Sequence, residues 1–147
     1  MWFVRGGKLQ GRKSKRICRN KFEYELGRFR YAELRNFCRQ YADKKAEAEL
    51  MLGVKSPQLS AMPHGTEVGD PVVRAAERRA QLLADCELIE RCAREVDGGI
   101  YYNAIIVNVC MGKAYDYIPQ ETMPTGNRNA YFHARRQFFR LLDKAKR

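Results

Sequence analysis

The sequence predicts an all-α chain, and three observations carry that prediction. From Phe22 onward apolar residues recur at steps of three and four, the spacing of helices buried on one side. Helix punctuation falls between the runs, at Gly53, Asp70-Pro71, Gly98-Gly99 and Pro119. With 147 residues, 45% of them hydrophobic and 11% aromatic, the chain can bury a core, which argues against general disorder.

The first segment, residues 1–21, stands apart from this pattern. Between Arg5 and Lys21 glycines alternate with a dense run of Lys and Arg that leaves nothing to bury, so the segment reads as a flexible basic arm. Such arms track phosphates or enter a minor groove, and Arg12, Lys13, Lys15 and Arg16 are the residues expected to do so. Residues 22–97 follow as a helical region of two long helices joined by a loop at 53–70. In the first helix, Phe22, Leu26, Phe29, Phe37, Tyr41, Ala48 and Leu52 fall near one face, with Leu34 and Cys38 alongside. Arg28, Arg30, Arg35 and Arg39 decorate the rest, and Gly27 marks a weak point or a boundary. The loop contains Pro57, Pro63, Gly65 and Gly69, and His64 within it is an ordinary loop histidine. Asp70 then caps a helix that has Pro71 in its first position. The expected apolar face of that helix is Val72, Ala75, Ala76, Leu82, Leu83, Cys86, Ile89, Ala93 and Val96.

Residues 98–147 form the last region. Ile100–Cys110 is β-branched and suits a strand on propensity, but its length and the four-residue steps of Tyr101, Ile105 and Val109 favour a buried helix. Residues 113–118 suit a short helix ended by Pro119. After a turn comes a basic helix whose stripe is Tyr131, Ala134, Phe138, Leu141 and Ala145. Asn129, His133, Arg136 and Arg140 share a separate polar arc, with Arg128, Phe132, Arg135 and Phe139 between the two. Thr125 or Asn127 can cap the first free N–H groups. Helix, short helix, turn and basic helix in that order make a C-terminal helix-turn-helix.

Charge narrows the partners. The net charge is +11, and it sits at the two ends. Residues 1–40 carry twelve Lys/Arg against three Glu, residues 41–122 nine against thirteen acids, and residues 123–147 seven against one. Two phosphate-binding ends flanking a mildly acidic scaffold would produce that distribution. No apolar run is long enough to span a membrane or serve as a signal peptide, so a cytoplasmic protein is expected. The five cysteines have neither zinc-knuckle spacing nor the even count of a disulfide framework, and buried thiols are expected at Cys86, Cys92 and Cys110. No metal or other cofactor is implied. The two histidines are far apart, and no nucleophile–base pair or phosphate loop accompanies them, so an enzyme is not expected.

The order of Ser56-Pro57, a Gly-rich loop, Asp70-Pro71-Val72, Val109-Cys110-Met111-Gly112 and the ending Met123-Pro124, Asn129-Ala130-Tyr131-Phe132, Arg135-Arg136-Gln137-Phe138-Phe139 and Leu141-Leu142 resembles phage late-gene transcriptional activators of the RinA and ArpU type. The resemblance spans about residues 28–145 and is most specific in the ending. It implies a C-terminal part similar to the helix-turn-helix of sigma-factor region 4, prophage DNA as the target, and activation of packaging or virion genes. It also places Asn129, Arg135 and Arg136 on a recognition helix anchored by Tyr131 and Phe138.

The expectation is therefore a sequence-specific reader of double-stranded DNA. Its contacts would come from Thr125, Asn127, Arg128, Asn129, His133, Arg135, Arg136 and Arg140, with the arm's Arg12, Lys13, Lys15 and Arg16 on phosphates. RNA polymerase is a further partner, and the Asp70–Asp97 helix offers a homodimer seam. The alternative is a phage scaffold or small-terminase-like module that binds polymerase or nucleic acid without strong sequence preference.

Overall fold

The computed structural model describes residues 25–53, 70–124 and 127–147. The arm with Arg12, Lys13, Lys15 and Arg16, the loop with His64, and Thr125 lie outside the described residues. Among the described residues all regular structure is helical, and no helix is long and apolar enough to cross a membrane.

Helix α1 (Arg28–Arg39) begins after Gly27, whose φ of 78° is a left-handed conformation that glycine adopts without strain. Helix α2 (Tyr41–Gly53) follows directly, and the two are separate elements broken at Gln40, where a single long helix was expected. The break has a packing reason. α1 lies against the C-terminal helix and the segment near Cys110, whereas α2 lies along the third helix, and one straight rod could not serve both. The expected single apolar face fails for the same reason: Leu34, Cys38, Tyr41 and Ala48 are buried, but Phe29 is 86% exposed and Leu52 66%.

Helix α3 (Pro71–Glu95) starts as the sequence predicts. The Asp70 carboxylate accepts from the Val72 N–H at 2.9 Å, and Pro71 occupies a position whose N–H would be unsatisfied anyway. Its apolar face is shorter than expected. Cys86, Ile89, Cys92, Ala93 and Val96 are buried, but Val72, Ala75 and Ala76 are exposed. A tight turn, Val96–Gly99, reverses the chain with Asp97, Gly98 and Gly99 all at positive φ.

Helix α4 (Tyr102–Ile105) continues as a single π-helical turn, Ile106–Cys110, so the β-branched run is a buried helix. The short helix expected at 113–118 is a single 3₁₀ turn, Tyr115–Tyr117, followed by a second at Gln120–Thr122. Helix α5 (Arg128–Ala145) closes the fold and runs through its middle. Tyr131, Ala134, Phe138, Phe139 and Leu142 are at most 1% exposed, and they pack on α1, α3 and the Val96–Gly99 turn. The buried stripe is thus shifted: Phe139 and Leu142 replace Leu141, which is half-buried, and Ala145, which is exposed. Cys38, Cys86, Cys92 and Cys110 are buried free thiols.

Candidate nucleic-acid interface

α5 is held in place from both ends. At its start the Asn127 side-chain oxygen accepts from the N–H groups of Asn129 (3.0 Å) and Ala130 (3.4 Å), which satisfies two of the free donors of the first turn. Near its end the only acid in the helix, Asp143, is turned inward at 5% exposure. Arg30 of α1 donates to it at 2.7 Å, and Arg147 reaches its other oxygen at 2.9 Å. The Arg30 hydrogen bond, with Arg147 assisting, holds the Asp143 carboxyl below the usual carboxylate range, and the same contact raises Arg30. Between the two ends, the fully buried Tyr131 donates its hydroxyl to Asn108 Oδ1 at 2.7 Å. The Asn108 amide in turn donates to the Lys113 carbonyl at 2.7 Å, which ties α5, the π-turn and the following linker together.

These ties leave one arc of α5 facing outward. Asn129, His133 and Arg140 are exposed on it, and Arg136 is half-buried. Arg136 makes no ion pair among the described residues. Arg140 is shared with Glu25, at 2.7 Å from Nη2 and 3.2 Å from Nε. Lys144, also exposed, continues the arc, so it carries positive charge and amide donors and no acid.

The remaining predicted site residues stand elsewhere. Arg128 stacks over Tyr115 and Phe132, 5.0 and 5.5 Å from their ring centres, and lies 3.5 Å from Asp116. Arg135, expected among the DNA contacts, is half-buried against Phe132 and Phe139 and donates to the Tyr31 hydroxyl at 3.1 Å. Its Nε is buried without a partner among the described residues, so this arginine is committed to the α1–α5 seam. Asn127 has its oxygen engaged in the cap. The structure therefore brings Asn129, His133, Arg136 and Arg140 together on one face and sets Arg128, Arg135 and Asn127 apart from it.

No family model, curated protein or solved structure matches this chain. The chemistry of the arc itself remains as the guide. Arg presents a rigid fork of donors suited to guanine edges and phosphate, and Asn presents a donor and an acceptor suited to adenine. Among the described residues no cluster of His, Cys, Asp and Glu suits a metal.

Sequence reasoning missed two contributors. Asn108 sits in an apolar run, and nothing nearby signals its role. Asp143 and Arg30 are separated by 113 positions, and no local pattern couples them.

Proposed function

We propose that the chain binds duplex DNA by laying the outer arc of α5 in the major groove, and that it regulates transcription, as an activator of phage or prophage late genes. The observation that carries this reading is the sorting of charge on α5: its single acid is drawn inward and neutralised, while Asn129, His133, Arg136, Arg140 and Lys144 face outward. A helix anchored on one side with amide and guanidinium groups on the other is what groove reading requires. In this reading α4 with its π-turn takes the place of the first helix of a helix-turn-helix and α5 that of the recognition helix. The two 3₁₀ turns replace a tight turn between them. The basic arm adds phosphate contacts, and pairing of two copies along α3 would double the length of site read. The late-gene role comes from the resemblance to the RinA and ArpU type, and RNA polymerase is a further candidate partner.

The test is a fluorescence-anisotropy titration against fragments of a prophage late-promoter region, at two salt concentrations, with random DNA as competitor. Binding to one fragment that survives competitor is expected, and Asn129→Ala should abolish that preference while sparing non-specific affinity. Equal, steeply salt-sensitive binding to every fragment would overturn sequence reading in favour of a scaffold held by charge.

A further inference from the structure

The cations of the α2–α3 pair are largely matched to acids: Lys44 to Asp85 at 2.6 Å, Lys45 to Glu90 at 2.8 Å and Arg78 to Glu47 at 2.7 Å. Two arginines on α1 are not. Arg35 and Arg39 are exposed, one helical turn apart, and neither makes an ion pair among the described residues. Like charges at that spacing destabilise a helix slightly, so the pair is not explained by the stability of α1. Both side chains, with Asn36 and Ala42, line one wall of a groove of about 680 Å³, and Cys110 and Met111 form the other. The chain turns at Gly112, at a φ of 78°, and a Cβ placed there would stand 1.7 Å from Arg39 Nη1. The absence of a side chain at Gly112 is therefore what lets the Arg39 guanidinium lie across the backbone at the groove's edge.

We infer that this groove binds a backbone phosphate of nucleic acid, with Arg35 and Arg39 as the charged donors and Asn36 as a neutral one. Two guanidinium groups one turn apart, beside an amide and above a glycine, give a phosphate several donors and no competing carboxylate. None of the lining residues belongs to α5, so the groove is a second site. Its contribution to binding is independent of sequence, because phosphates carry none. The inference rests on nucleic acid being the partner, but not on α5 reading a sequence.

The experiment measures binding of the full chain to a random-sequence duplex over a salt series. Each phosphate contact contributes about 0.9 to the slope of log affinity against log salt. Arg35→Gln with Arg39→Gln should make that slope shallower by about 1, and the double lysine variant should restore most of it. Arg74→Gln, exposed in the first turn of α3, removes charge away from the groove and should leave the slope within about 0.3 of the parent. An unchanged slope in the double glutamine variant, an equal loss in Arg74→Gln, or no binding of the parent to the random duplex would each overturn the inference. Preference for a promoter fragment is scored separately: its loss in the parent removes the α5 reading and leaves the groove to be judged on the random duplex.

Discussion

The cradle around α5 and the α2–α3 pair are assembled from different materials. Around α5 the contacts are aromatic: Tyr31 meets Phe139 edge-on at 5.0 Å, Phe138 meets Phe139 at 5.3 Å, and Tyr115 lies 5.4 Å from Tyr131. Between α2 and α3 the buried Ala48 and Cys86 are small, Tyr41 is the one buried aromatic of α2, and the seam is closed by ion pairs and by Arg79 donating to the Ala48 carbonyl at 3.1 Å. At its α1 end the Tyr41 hydroxyl donates to Glu90, which also accepts from Lys45 and Arg94. Salt screens partly exposed ion pairs, whereas apolar burial is not weakened by screening. The element presenting the candidate interface is therefore the one seated on aromatic packing, and the electrostatic seam lies away from it.

The largest loss of stability is expected at the aromatic centre. Phe138→Ala removes a fully buried ring and should cost about 3–5 kcal/mol by denaturant titration, where a loss under 1 kcal/mol would mean the cradle is loosely packed. Asp143→Asn comes next, with about 1–3 kcal/mol lost, because Arg30 and Arg147 lose their shared charged acceptor. This loss should vanish in acid. A carboxyl whose folded pKa is depressed stabilises above its unfolded value of about 3.9 and stops doing so as pH falls through the folded value. Parent and variant melting temperatures should therefore converge as pH falls through the folded value.

Smaller effects sharpen the contrast on the α2–α3 side. Burial, reinforced by the hydrogen bond to Glu90, pushes the Tyr41 hydroxyl up to about 12. A raised folded value means the neutral phenol stabilises below the unfolded value of about 10 and ceases to do so as pH rises through about 12. Exchange protection factors, corrected for the intrinsic rate, should fall along α2 in that window while those of α5 hold, and Tyr41→Phe should remove the step. Glu90 is subject to burial that raises it, but hydrogen bonds from Lys45 and Tyr41 outweigh this and leave it lowered, so Glu90→Gln should cost about 1 kcal/mol at neutral pH. Least of all, Asn129→Ala should change stability by under about 0.5 kcal/mol, since the side chain is exposed. A larger change would make Asn129 part of the scaffold.

What was legible in the sequence was chemistry confined to a few neighbouring residues. Asp70-Pro71 and Asn127 announce helix starts because capping acts over two or three positions. Tyr131, Ala134 and Phe138 announce the buried side of α5 because they recur at the helical period. What was not legible depends on partners far along the chain. Phe29 and Leu52 share a period with buried residues but have no element opposite them among the described residues. Arg135 looks like a groove contact beside Arg136, and only the position of Tyr31 and Phe139 turns it into the seam. Sequence composition named the α1 arginines as basic surface, but their convergence on Cys110 and Met111 required the fold.

The π-turn at Ile106–Cys110 gives the molecule a sensitivity to length that its composition does not suggest. A π-turn accommodates one residue more than an α-turn over the same rise. That extra residue is already absorbed by the π-turn, and a further one inserted there would turn everything beyond it by about 100° relative to α4. Asn108 would swing from beneath the Tyr131 hydroxyl, and Gly112 would leave the flank of Arg39. A single codon gained in this stretch would thus unfasten α5 and separate Gly112 from Arg39 in one event, although every aromatic and every arginine would still be encoded.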